Sequence, residues 1–178
     1  MNTCNKPWFT TVPRLPMTVW AVCAAAFAGS VCYLSASLPA RVATHFTGAG
    51  HANGWMTRSQ HITFTLLFGI GISLFVIGIC YCIRFFPASA LNVPNSAYWR
   101  SPEHYPEACA FLFRHSFWLG ASELLWLGLL NASLVQANQV TPPFLAPRTA
   151  VVLGMLFLAA TAAWAGSMIW YFVKAGKR

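Results

Sequence analysis

Acidic residues are almost missing from this chain. Three glutamates stand against 11 lysines and arginines, and charged residues of both signs make up only 8% of 178 residues. A water-soluble domain carries roughly 25% charged residues, so an ordinary solvated surface has little to be built from. The shortage also removes the carboxylates that orient a catalytic base, and no Ser/His/Asp or Cys/His arrangement is persuasive. An enzyme is therefore not expected. No C-x-x-C pair occurs; Cys80 and Cys82 are spaced C-x-C, and with Cys23 and Cys32 they lie in apolar runs, where cysteine reads as a small hydrophobe. A basic stripe is missing too. The net charge of +8 comes from residues scattered singly, so a nucleic-acid partner, which needs a basic face, is not expected. There is no internal repeat and no low-complexity tract.

What is abundant is apolar surface: 57% hydrophobic residues and a mean hydropathy of +0.57. A soluble fold this short has no room to hide it. Four apolar runs, at about residues 17–38, 62–85, 116–135 and 149–173, are each long enough to cross a hydrocarbon core of about 30 Å. The expected fold class is all-α: a polytopic membrane protein of one domain with four transmembrane helices. Ser35-Ala36-Ser37 resembles a signal-peptide cleavage site. The first run, however, is longer than the usual apolar core of a signal peptide, about 7–15 residues, and it is read as a span. Gly69, Gly71 and Gly78, and the pairs Ala25/Gly29, Ala159/Ala163 and Ala162/Gly166 at spacing four, predict helix-packing faces.

Between the runs lie a polar loop, 39–61, a second polar segment, 86–115, and a short loop, 136–148, with the Pro142–Pro143 pair. Four spans put both termini and segment 86–115 on one side, with Lys6, Arg14, Arg84, Arg100, Arg114, Lys174, Lys177 and Arg178. Only Arg41, Arg58 and Arg148 fall on the other. The positive-inside rule makes the termini cytoplasmic and turns loop 39–61 outward. Cys4 and Cys109 then lie on the cytoplasmic side, where a structural disulfide is not expected. Trp20, Trp118, Trp164 and Trp170 fall near span ends, as an aromatic belt requires. Ser101-Pro102-Glu103 predicts a helix start, perturbed by Pro106, for a helix that lies flat at the interface or runs into the third span.

Three histidines sit at the outer loop: His45, His51 and His61. Their spacing matches no zinc pattern and no Cys or carboxylate joins them, so neither metal nor cofactor is expected. His45 instead is expected to tie the glycine-rich turns to the helix ends by hydrogen bonds, since backbone near a bilayer must find partners. Gly48, Gly50 and Gly54 are expected at positive φ, with Asn53–Gly54 as a turn. The glycine spacing fits neither phosphate-binding fingerprint. Glu123 is the only acid within a span, about 13 Å along the helix from Arg114. With Asn131 two turns on, it predicts an intramembrane polar stripe. Asn131-Ala132-Ser133 matches a glycosylation acceptor but lies within a span.

The run Leu38-Pro39, Val42, His45-Phe46, Gly50, Gly54-Trp55 and Arg58 resembles the N-terminal domain of the SdpI-like family of bacterial integral membrane proteins, a domain of unknown function. Asn92-Val93-Pro94-Asn95, Tyr98-Trp99 and Pro102-Glu103 look like a further motif of small four-helix members, followed by Gln136-Ala137-Asn138. Asn53 stands where many relatives carry Asp. The family takes its name from an immunity protein that protects a bacterium against its own secreted toxin; those members have additional helices. The resemblance implies a multi-pass protein of the bacterial inner membrane. Its expected role is non-catalytic, binding or sensing a ligand or peptide at the outer leaflet through His45, Phe46, Gly50, Asn53, Gly54 and Trp55, with Asn92, Pro94, Asn95, Tyr98 and Trp99 as the inner surface. Two alternatives stand beside it: an accessory subunit docked on other membrane subunits through small-residue helix faces, and a transporter or proton-handling protein working through Glu123.

Overall fold

A computed structural model describes residues 13–175; Cys4, Lys6, Lys177 and Arg178 lie outside the described residues. The chain forms helix α1 (Arg14–Ser35), strands β1 (Arg41–Phe46) and β2 (Ala52–Thr57), α2 (Arg58–Cys82), a short α3 (Ser96–Trp99), α4 (Tyr105–Ala137) and α5 (Pro147–Ala175). Four of these, α1, α2, α4 and α5, are long and apolar enough to cross a membrane. A helix satisfies every interior backbone group within itself, which is what a bilayer demands of a spanning segment. Leu67, Phe75, Val151, Met155, Leu158 and Trp170 remain exposed along them. In water such a surface would aggregate; in a bilayer it is the solvated face. The protein is thus a four-helix, multi-pass membrane protein.

Helix α4 is the central post. It packs against α1, α2 and α5, whereas α5 has its main contact with α4 alone. Two glycines set the closest approaches. A Cβ on Gly69 would stand 2.7 Å from the Phe27 ring, and one on Gly120 would stand 2.5 Å from Ser73 Oγ. The other small-residue positions are turned away from the bundle: Ala25, Gly29, Ala159, Ala162, Ala163 and Gly166 are exposed, and a Cβ on Gly71 or Gly78 would meet nothing within 4 Å. Two of the four tryptophans near span ends bond to a neighbouring helix. Trp20 Nε1 donates to Ser73 Oγ at 2.6 Å and Trp164 Nε1 to the His115 carbonyl at 3.1 Å, so both fasten helices together. Each indole N–H needs an acceptor inside an apolar bundle, and an oxygen of the neighbouring helix supplies it.

Loop 39–61 is not an irregular glycine-rich loop but an antiparallel hairpin. Arg41 pairs with Thr57, Val42 with Met56, Ala43 with Trp55, His45 with Gly54 and Phe46 with Ala52, with irregularities on either side of His45. The turn falls at Gly48–Gly50, and Asn53 and Gly54 belong to β2. Only Gly50 takes a positive φ, 89°, among the described glycines. A two-stranded hairpin alone is marginal. This one holds because Val42 and Leu38 pack on Val135 of α4.

Helix α4 is continuous from the second polar segment through the third span. It starts at Tyr105 rather than Pro102, because Ser101 to His104 forms turns in which the Ser101 carbonyl accepts from His104 and Tyr105 N–H at 3.1 and 2.9 Å. Pro106 has no N–H to give to the Pro102 carbonyl, in keeping with the perturbed start, and it sits instead in the first turn of α4, where a missing N–H leaves no bond unmade.

Candidate functional site: a crevice beneath the hairpin

The hairpin is clamped to the bundle from below. Asn138, just past the end of α4, donates Nδ2 to the Ala43 carbonyl at 2.9 Å and accepts from Ala43 N–H through Oδ1 at 2.8 Å. Both backbone groups belong to a fully buried residue on the free edge of β1, where an unmade bond would cost about 1–3 kcal/mol. The loop after α4 adds a strap: Leu145 N–H donates to the Gly50 carbonyl at 3.0 Å, and the His51 ring packs edge-on against Phe144. At the hairpin's other foot, Thr57 Oγ1 accepts from Gln60 N–H while the Gln60 side chain accepts from Thr57 N–H, a reciprocal cap on α2.

Held this way, the hairpin roofs a cavity of about 320 Å³ between itself, α2 and α4. That is at the small end of the roughly 300–1,000 Å³ range of ligand pockets. Met56, Phe64, Phe68, Leu127, Leu130 and Leu134 make most of its wall. Phe64 and Phe68 are 53% and 46% exposed, so the mouth opens on the lipid-facing side. The polar part lies at the back. His61 and Asn131 are 4% and 3% exposed, and His61 Nε2 is 3.0 Å from Asn131 Oδ1. Asn131 Nδ2 is buried and has no hydrogen-bond partner among the described residues. Such an orphan amide calls for an explanation. Next to the mouth a shallower groove shares Met56 and Phe64 and adds the polar side chains of Ser59, Gln60 and Thr63.

The structure distributes the predicted residues unevenly. His45 lies at the roof, where Nδ1 pairs with Asn53 Oδ1 across the hairpin. It ties strand to strand, not turn to helix end, because Asn53 adjoins Gly54, the register partner of His45 on β2. The His45 side chain also lies close to Gly54, where a Cβ would stand 2.7 Å from His45 Cβ. Trp55 is exposed, with the Arg41 guanidinium 5.0 Å from its ring centre. Phe46 closes β1, half-buried, and Gly50 sits buried under the strap. His45, His51 and His61 each have a different partner, and no group of three His, Cys, Asp or Glu among the described residues is placed to hold a metal.

The second motif is spent on helix α5. Asn95, in the left-handed region at φ 55°, donates Nδ2 to the Phe172 and Val173 carbonyls at 3.1 and 3.2 Å, and Trp99 Nε1 donates to Phe172 at 3.0 Å. These carbonyls belong to the last turn of α5, which has no intrahelical donors left for them. Trp99 is fully buried in a cluster with Leu91, Ala108, Leu112 and Phe172, and Tyr98 stacks on His104. Pro94 and Asn92 are exposed. Glu123 is half-buried on α4 with no hydrogen-bond partner among the described residues, and Asn131 is committed to His61. The predicted polar stripe is therefore two separate features.

Gln60 is absent from the sequence reading, and Asn138 enters it only within the Gln136-Ala137-Asn138 motif, with no role attached. The Thr57-x-x-Gln60 spacing before an apolar run was a legible signal of a capping box; no local signal points from Asn138 to Ala43, 95 positions away.

Residues 21–70 match a domain of unknown function, DUF1648. The match covers most of α1, the whole hairpin and half of α2, so it takes in the roof and one wall of the crevice. The DUF1648 match stops short of Asn131 and the α4 wall. No curated protein and no solved structure matches the chain.

Proposed function

We propose that this chain is a non-catalytic protein of a bacterial inner membrane, related to the SdpI-like family, that binds or senses a ligand at its outer end. The observation that carries the reading is the crevice beneath the hairpin, apolar at its mouth and polar at its back, with an unpartnered buried amide on Asn131. The orientation rests on charge: Arg14, Arg84, Arg100, Arg114 and Lys174 belong to the end holding α3, against Arg41, Arg58 and Arg148 at the hairpin end. The DUF1648 match and the His45-Phe46 and Gly54-Trp55 pairs support the family relation.

The test is purification in a gentle detergent, with mass spectrometry of everything that stays bound. The expected result is a stoichiometric small molecule or lipid that is lost from Thr65→Trp, a substitution that fills the crevice. An equal content of bound species in the two proteins would overturn the reading.

A second reading, an accessory subunit, is favoured by one observation. The small residues Ala159, Ala162, Ala163 and Gly166 of α5 face outward, and α5 rests mainly on α4. Co-purification of larger membrane subunits, abolished by Ala163→Leu but not by His45→Ala, would support it.

A further inference from the structure

The depth of the crevice says what kind of molecule suits it. His61 lies in the first turn of α2, and Asn131 lies six residues, about 9 Å, before the end of α4. The 25 residues of α2 extend about 37 Å, beyond a hydrocarbon core of about 30 Å. The first turn therefore sits where acyl chains give way to headgroups. At that level an amphiphile carries its carbonyl or carboxylate oxygens, with apolar chain on one side and polar group on the other. The crevice has the same division: Phe64, Phe68 and Leu130 at the membrane face, Asn131 at the back, and the Ser59–Thr63 groove beside the mouth.

We propose that the crevice holds the chain of a lipid-like amphiphile whose carbonyl or carboxylate oxygen accepts a hydrogen bond from Asn131 Nδ2. This rests on the binding reading above and names its ligand class. His61 is a positioning residue. By holding Oδ1 it fixes the amide so that the N–H₂ is the end left for the ligand. A purely hydrocarbon occupant would leave that amide unpaired in an apolar site, which is unfavourable. An acceptor oxygen is therefore selected over a methyl end.

The experiment uses the full chain in lipid nanodiscs with three tail-diazirine probes: palmitic acid, a phosphatidylethanolamine and hexadecane. Cross-links are mapped by peptide mass spectrometry. Labelling by at least one oxygen-bearing probe is expected to concentrate on Phe64, Phe68 and Leu130 and to be competed by the same unlabelled compound. Asn131→Leu is expected to lower that labelling by about tenfold, the discrimination that 1.4 kcal/mol provides, and to leave hexadecane labelling unchanged. Thr65→Trp is expected to block every probe without touching the His61–Asn131 pair, which keeps the test valid if Asn131→Leu does not fold. Labelling by palmitic acid alone assigns a free fatty acid; labelling by the phospholipid assigns a membrane lipid. Labelling spread evenly over the lipid face, or undiminished in Asn131→Leu, would overturn the proposal. If no probe labels the crevice but a bound species still leaves with Thr65→Trp, the ligand class alone fails. If neither happens, the binding reading fails as well.

Discussion

Single side chains carry more of this architecture than their number suggests. Asn138 satisfies two buried backbone groups of Ala43 at once, and its loss strands both. Asn138→Leu is expected to destabilise the hairpin by about 2–4 kcal/mol. Hydrogen exchange in detergent checks this: amides of residues 41–57 should lose protection while those of α1 and α4 keep theirs. Gly50 is the second such point. Its φ of 89° puts it in glycine territory, and a Cβ there would press on Phe144, with ring atoms at 2.8 and 2.9 Å. Gly50→Ala is expected to cost about 1–3 kcal/mol, read as a lowered melting temperature of the purified protein. The Asn138 role was not open to local reasoning, whereas the positive φ expected at Gly50 is found there. The positive φ of Gly50, but not of Gly48 or Gly54, depends on where the turn falls, and the turn is placed by Val42 and Leu38 packing on Val135.

At the scale of elements, legibility followed length. The four spans are written as apolar runs of 20 residues or more, and their helical ends fall within a few residues of the runs except at the start of α4, which begins at Tyr105, eleven residues before its run. Nothing competes with helix formation inside a bilayer, so composition is enough. The hairpin strands have six residues each, and their glycines, histidine and asparagine read as loop. Six residues with an irregular register give too short an alternation to recognise, and the strands owe their existence to the helix ends beneath them. The start of α2 lay between these cases. Thr57→Ala removes one half of the reciprocal cap and is expected to cost about 1 kcal/mol. It should fray the first turn, where His61 sits. A matching loss of crevice labelling in Thr57→Ala would connect the cap to the site; retained labelling would confine the cap to stability.

For the whole molecule, the uneven distribution of arginine and lysine makes a topological prediction. A fluorescent protein fused after Arg178 should fold and fluoresce in bacterial cells, whereas alkaline phosphatase at the same place should stay inactive. The opposite pattern would put the hairpin in the cytoplasm.

The four spanning helices are also of unequal length. At 33 residues α4 measures about 50 Å, against about 33 Å for the 22 residues of α1. A hydrocarbon slab of about 30 Å leaves close to 20 Å of α4 outside it. The cluster of Trp99, Leu112, Leu91 and Phe172 gathers around the early turns of α4, together with the α3 segment. The molecule therefore answers to two solvents. Its middle is held by lipid and the end that carries α3 by the hydrophobic effect of water, which denaturants weaken. Urea should melt the α3 end first, exposing Trp99 to the aqueous phase and releasing the end of α5 from Asn95, while the rest of the bundle stays helical.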